Sequence, residues 1–290
     1  MKTKYNIFEK KIVLIGAGNV ASHLAPALLK AGLNLCQIFS RTTESARELS
    51  SKTGISFTSQ IYEIYPDADI YIFCISDDAL AYVYKTLNLN HNALILHTCG
   101  SVSIDVFSTA RNPYGVLYPL QTFSKKRELD FSQIPIFIEG INSETRDKIK
   151  ILADLLSQKV IDASSEKRKK LHIAAVFANN FVNSLYKIAS DIMESEQLSF
   201  SFLRPLIDET ANKVMSMEPC DAQTGPARRG DNNVISNHKT LLKDDKELLQ
   251  IYSLMSDYIK EMYATKELED EDNIKPENTE PMMLSLWDFQ

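Results

Sequence analysis

With 290 residues, 44% of them apolar and 24% charged, the chain lies in the ordinary globular range, far from disordered, collagen-like or membrane-embedded compositions. Its formal charge of −6 excludes the broad basic face that a nucleic-acid backbone demands. Nowhere do about 18 apolar residues run consecutively, so neither nucleic acid nor a membrane is expected as a partner.

The first predicted element is a buried strand, Lys11 to Ile15, followed by Gly16-Ala17-Gly18-Asn19-Val20-Ala21 and a helix over Val20 to Ala31. Strand, tight turn and helix start in that order form a dinucleotide-binding signature. Gly16 permits the turn, Gly18 lets the backbone approach a pyrophosphate, and small Ala21 allows the helix to pack closely on the strand. The helix N-terminus then offers free N–H groups and a positive dipole end to the phosphates. Gly16, Ala17, Gly18, Asn19 and Val20 are accordingly expected to hold the cofactor.

A second strand, Leu35 to Phe39, ends in Ser40-Arg41-Thr42, ahead of a helix over Thr43 to Lys52. NAD-binding proteins place an acid at this strand end to accept from the ribose hydroxyls. Here Ser40, Arg41 and Thr42 are donors suited to a 2′-phosphate, which points to NADP(H). A strand over Ile70 to Ile75 leads into Ser76-Asp77-Asp78, where Ser76 is a candidate cofactor neighbour and Asp77 reads as a helix N-cap or a reactive acid. The next strand, Leu94 to His97, runs into Thr98-Cys99-Gly100-Ser101 at the rim of the ligand crevice. His97 is assigned there to the cofactor and Ser101 to the substrate.

Strands over Tyr114 to Leu117, Ile136 to Glu139 and Val160 to Asp162, with a helix over Glu144 to Leu156, complete a doubly wound parallel sheet. Ser164 and Ser165 mark a new helix start. Beyond them the strands stop, and apolar positions three and four apart predict long helices over Lys169 to Met193, Phe200 to Met217 and Leu248 to Met262. The fold class is thus α/β, a Rossmann-type domain over residues 1–163 followed by an all-α domain over 164–265. An acidic flexible tail over 266–290, carrying the lone Trp near its end, is expected last. The basic run Lys167, Arg168, Lys169 and Lys170 reads as a solvated first turn.

Lys2 and Lys4 precede no sustained apolar stretch with a small-residue cleavage site, so no secretory leader is expected. Cys36, Cys74, Cys99 and Cys220 lack metal-type spacing, and no metal is expected. Thiols in apolar runs, such as Cys36 and Cys74, behave as small hydrophobes and fit a reducing, cytoplasmic location.

Together with the glycine turn and Ser40-Arg41-Thr42, three later stretches carry a resemblance. They are His97 to Ser101 with Tyr118-Pro119-Leu120-Gln121-Thr122-Phe123, then Leu171 to Phe181 (LHIAAVFANNF), then Thr224 to Asp231 (TGPARRGD). The chain resembles the pyrroline-5-carboxylate reductase and β-hydroxyacid dehydrogenase superfamily. Within it, the chain looks like a family that joins a Rossmann-like domain to a helical domain of unknown function of the 2520 type. The resemblance implies a cytoplasmic, NADP-linked oxidoreductase, a homodimer through its helical domain. β-Hydroxyacid dehydrogenases carry a catalytic Lys on the first long helix of the second domain, with an Asn one turn later. In this chain His172 is nearest to that Lys and Val176 stands one turn on, so the alcohol-oxidation mechanism does not transfer intact.

His172, Asn179, Asn180 and Asn183 share one predicted helix, with His172 and Asn179 seven positions apart on a common face. They serve a ligand cleft or a hydrogen-bond network between helices. Arg228 and Arg229, in a segment that Gly225-Pro226 and Gly230-Asp231 read as a loop, could clamp a substrate carboxylate, or one could pair with Asp231. The expected activity is reduction of a small C=N or C=O substrate bearing an anionic group. His172 is the expected general acid, with Asn179 or Asn180 orienting the substrate, and Ser101, Asn183, Arg228, Arg229 and Asp231 binding it. The alternative is a non-catalytic NADP(H)-binding sensor or regulatory protein.

Overall fold

Four consecutive apolar residues without alternation suit only a strand covered on both faces, and Ile12–Ile15 forms one: β1, buried along its whole length. The computed structural model, which describes residues 5–273, sets β1 inside an eight-stranded sheet. The other strands are β2 (Leu35–Phe39), β3 (Phe57–Thr58), β4 (Ile70–Phe73), β5 (Leu94–His97), β6 (Tyr114–Pro119), β7 (Ile136–Gly140) and β8 (Val160–Asp162). They lie in the order β3-β2-β1-β4-β5-β6-β7-β8. Because β1 pairs in parallel with both β2 and β4, strand order reverses there, and a ligand crevice is expected beyond the strands' carboxyl ends.

The Rossmann-type sheet followed by helices is as expected, with one correction: β6 and β7 pair antiparallel, and β8 follows β7. A parallel neighbour needs a long crossover, usually a helix. The link from Pro119 to Ile136 holds only a 3-10 turn at Phe131–Gln133, and the chain turns straight back. The edge strand β3 escaped the sequence reading because two residues carry no period.

Helices α1 (Asn19–Lys30), α2 (Thr43–Thr53) and α4 (Ser143–Asp154) cover one face of the sheet, packing Leu24, Leu28, Leu49, Ile149 and Leu152 on Ile12, Leu14, Ile38, Ile70 and Ile72. On the other face, α3 (Asp77–Thr86) and the 3-10 turn Ile104–Phe107 bring Leu80 and Phe107 against Val13, Ile15, Phe73 and Ile95. Fully burying one such side chain is worth about 1.5–3 kcal/mol. The two apolar layers are therefore what holds the strand ends rigid.

Ser164 caps α5 (Ser165–Ala175) through the backbone N–H of Lys167, as its position predicts. The basic run on this first turn is not wholly solvated, however: Arg168 is fully buried while Lys167 and Lys170 are exposed. Its guanidinium donates to Glu139 at 2.5 Å, to the Val102 carbonyl at 2.5 Å and to Ser165 Oγ at 3.2 Å. Glu139 also accepts from the Ser165 N–H and hydroxyl, and Ser165 Oγ accepts from Ile104 N–H. This network ties α5 to β7 and to the segment after β5. The described residues divide into two compact units between Ala189 and Ser190.

From α5 the helix continues through a π-helical segment, Val176–Phe181, into α6 (Val182–Ser195). In the second unit follow α7 (Arg204–Ser216), the single turns α8 (Pro219–Ala222) and α9 (Pro226–Arg229), then α10 (Asn232–Leu241) and α11 (Lys246–Asn273). Where a loop was expected around the two arginines, Pro226 at the first helical position and the left-handed Gly230 at the end enclose one helical turn. The acidic run expected to be flexible continues α11 as far as Asn273, consistent with its content of Lys, Glu and Leu. The remainder of that expected tail, with Trp287, lies outside the described residues. No helix among the described residues is long and apolar enough to cross a membrane.

Candidate active site

The glycine turn after β1 is built by close approach. Gly16 has φ +119°, and a Cβ there would meet the Cys74 carbonyl oxygen at 2.3 Å. Around Gly18, by contrast, a Cβ would find open space, and Gly18 caps α1 without any side-chain hydrogen bond. Among the described residues no protein oxygen accepts from the leading N–H groups of α1, which leaves them open to an anion such as a diphosphate. Ala17 is buried, Asn19 is exposed and Val20 is half-buried at the mouth of this turn.

At the end of β2, Ser40 is buried while Arg41 and Thr42 are exposed. Thr42 caps α2 without using its side chain. Ser76, at the end of β4, is exposed and caps α3. Asp77, the first residue of α3, accepts a hydrogen bond from the Ser101 hydroxyl, so the segments after β4 and β5 are linked. The N-cap position expected for Asp77 is therefore taken by Ser76, and Asp77 instead begins the helix and links it to Ser101.

His97 is placed differently from expectation. Its imidazole is fully buried, packed 5.7 Å from the Phe107 ring rather than lining an open rim, because alternation along β5 turns it with Ile95 into the second core. Nδ1 accepts from the Cys99 N–H at 3.2 Å, which puts the proton on Nε2, and that atom has no hydrogen-bond partner. Burial, reinforced by Arg168, holds its pKa down at about 3, so the ring stays neutral. Desolvation likewise keeps the Cys74 thiol protonated, its pKa pushed up to about 12, and also raises that of Cys99. Neither thiol is poised as a nucleophile.

Gly100 matters for what it admits. A Cβ there would lie 2.6 Å from His172 Nδ1 and 2.9 Å from the Tyr118 ring. In the space so left, Tyr118 of β6 reaches His172 of α5, with its hydroxyl 3.2 Å from Nδ1 and the rings edge to face at 6.2 Å. Tyr118 is 8% exposed, and burial raises its pKa; Arg168 opposes the rise and Asp77 adds to it. His172 itself is half-buried. The sequence places Gly100 at the crevice rim and Tyr118 in a stretch that carries the resemblance, but no local signal pairs either with His172.

Asn179 and Asn180 fall in the π-helical segment and Asn183 in α6, all exposed. A π-helix bonds each N–H five residues back and so takes up an extra residue per turn. The α-helical spacing that put Asn179 in line with His172 therefore does not hold across this segment, and these amides are not buried. In the second unit, Arg229 pairs with Asp231 at 2.7 Å, and the Arg228 guanidinium stacks 3.8 Å from the centre of the Tyr263 ring. The loop-holding ion pair that one reading expected is thus formed by Arg229. A separate groove of about 770 Å³ runs along α1 past His23, Lys30 and Phe131 and contains none of these residues.

Fold and glycine turn together define a dinucleotide-binding domain of Rossmann type. Residues 11–99 match the family described as NADP oxidoreductase coenzyme F420-dependent, and residues 134–259 match the domain of unknown function DUF2520. A solved structure from Bacteroides fragilis, provisionally named an NADP oxidoreductase, is 46% identical, covers 88% of this chain and 100% of its own, and superposes with a TM-score of 0.84. The chain belongs to this family of NADP-oxidoreductase-like proteins that carry DUF2520. A 1-pyrroline-5-carboxylate reductase from Streptococcus pyogenes is 15% identical, with a TM-score of 0.58 over 87% of this chain and 98% of its own, and shares the fold. Among curated proteins, glutamyl-tRNA reductases of Saccharolobus islandicus are 25% identical over 73% of this chain and 49% of their own length. The chain spans about half the length of the curated relatives it matches.

Proposed function

We propose that this protein is an NADP(H)-dependent reductase of a small C=N or C=O substrate, with His172 as the proton donor. The observation that carries this reading is the His172 imidazole, held by Tyr118 and admitted by Gly100 at the carboxyl end of β5, on the same sheet edge as the diphosphate hollow. When bound, the nicotinamide supplies a hydride; orientation and the proton are the protein's part. The open N–H groups of α1 hold the diphosphate, and Gly16 to Val20 shape the turn beneath it. Ser40, Arg41 and Thr42 take the 2′-phosphate. His172 gives a proton to the substrate nitrogen or oxygen, while Ser101, Asn179, Asn180 and Asn183 supply polar contacts.

Two measurements test this. Arg41→Asp is expected to weaken NADPH binding by about 10- to 100-fold, one charge-assisted hydrogen bond plus repulsion, with NADH affinity little changed. Calorimetric titration with both cofactors checks it, and an unmoved preference retires Arg41. His172→Ala is expected to lower kcat about a hundredfold, the low end of general-acid contributions, toward any imine or oxo compound that the wild type reduces. Unchanged turnover refutes the proton-donor role. A broad panel with tight NADPH binding but no oxidation of it would favour the sensor reading instead.

The exposed Ile173, Phe177 and Phe181 form an apolar face on the first long helix, with the two phenylalanine rings 5.0 Å apart. A second copy of the chain covering this face fits the homodimer implied by the resemblance. Cys36, Cys74 and Cys99 stand as thiols, in keeping with a reducing, cytoplasmic location.

A further inference from the structure

We infer that Tyr118 is a positioning residue that fixes the His172 imidazole, occupying Nδ1 so that Nε2 is the atom presented to the substrate. The inference rests on the reading of His172 as proton donor, and it assigns a role to a residue of β6 that no sequence pattern connects with α5. A histidine that donates a proton must present one chosen nitrogen, and a freely turning ring with two tautomers does not. Here the ring is gripped on one side only. The Tyr118 hydroxyl lies 3.2 Å from Nδ1, the rings meet edge to face, and Gly100 packs so closely that a single methyl group would sit 2.6 Å from the same nitrogen. Nothing comparable engages Nε2 among the described residues.

A phenol suits this position in both charge states of the ring. With its pKa raised by burial, Tyr118 keeps its proton at neutral pH and donates it to the bare Nδ1 of neutral His172. When His172 is an imidazolium, the same oxygen accepts from Nδ1–H. In the proton-transfer step the Nε2–H bond breaks, its electron pair stays on Nε2, and the proton goes to the substrate nitrogen or oxygen. The ring is then neutral with its proton on Nδ1, accepted by Tyr118; solvent returns a proton to Nε2 of half-buried His172, and loss of the Nδ1 proton to solvent restores the resting ring to which Tyr118 donates. Asp77 and Arg168 act on Tyr118 with opposite sign.

The test is nitrogen NMR of the full chain labelled with ¹⁵N-histidine, without cofactor or substrate, at a pH above the histidine titration; loss of the signal in His172→Gln assigns the ring. The wild type is expected to show His172 as a single tautomer, protonated at Nε2 and bare at Nδ1. Tyr118→Phe keeps the ring and removes only the hydroxyl, and is expected to lose that uniqueness and give a mixture of tautomers. Gly100→Ala keeps the hydroxyl but wedges the pair apart, and is expected to give the same mixture. A wild-type ring protonated at Nδ1, or a tautomer ratio that neither variant changes, overturns the inference. Because no turnover is measured, this outcome is independent of the His172→Ala kinetics: a switched tautomer with unimpaired His172→Ala turnover removes the proton-donor reading and leaves the orientation intact.

Discussion

Gly18→Asp is expected to abolish useful dinucleotide binding, by about a thousandfold or more, without unfolding the protein. The backbone at Gly18 has φ −82°, which any residue adopts, and a side chain there enters open space. Replacing glycine by aspartate at a helix N-cap gains only about a few tenths of a kcal/mol, so the melting temperature should hold. The same carboxylate, however, satisfies the N–H groups meant for phosphate and repels the incoming charge. Two charge-assisted hydrogen bonds lost at about 1.5–3 kcal/mol each, with like-charge repulsion added, exceed 4 kcal/mol. Calorimetry with NADPH and NADH alongside a thermal melt reads both quantities. Retained affinity would remove the diphosphate from α1 and with it the oxidoreductase reading of the turn.

Arg168→Ala should produce the opposite pattern, a large loss of stability from a residue outside the cofactor turn. Removing one partner of a buried ion pair typically costs about 3–5 kcal/mol, because the other charge is left without compensation. Glu139 would lose the guanidinium at 2.5 Å, and the Val102 carbonyl and Ser165 would lose their donor. At about 2–4 °C per kcal/mol for a chain of this size, the melting temperature should fall by roughly 6–20 °C. Arg168→Lys keeps the charge but lacks the fork that reaches Glu139 and Val102 together, so an intermediate loss is expected. A fall of under about 1 kcal/mol by denaturant or heat would mean that α5 is held to the sheet by something else.

How far each feature could be read in advance follows from the range of the interaction behind it. Ile12 to Ala21 could be read because strand burial, glycine turn and helix start are all set within ten neighbouring residues. Ser164 as a cap and Arg41 after a strand are equally local. The π-helical segment was not legible, since its residues have the composition of an ordinary apolar helix and the extra residue per turn leaves no periodic mark. The antiparallel β7 was missed for a related reason. Strand propensity does not encode direction; only the missing crossover helix after Pro119 does.

By itself, then, the order of residues determined a Rossmann-type nucleotide domain, its cofactor turn and a helical second half, because hydrophobic period, turn chemistry and capping act between near neighbours. Which polar side chains meet was decided only by the tertiary structure. Tyr118 and His172 are separated by 54 positions and Glu139 and Arg168 by 29. Closing such separations takes the packed sheet with α5 tied to it through Ser165 and Arg168. The same packing drew His97 and Arg168 inside and left Asn179, Asn180 and Asn183 exposed. Burial is a property of the assembled layers, and no residue type carries it alone.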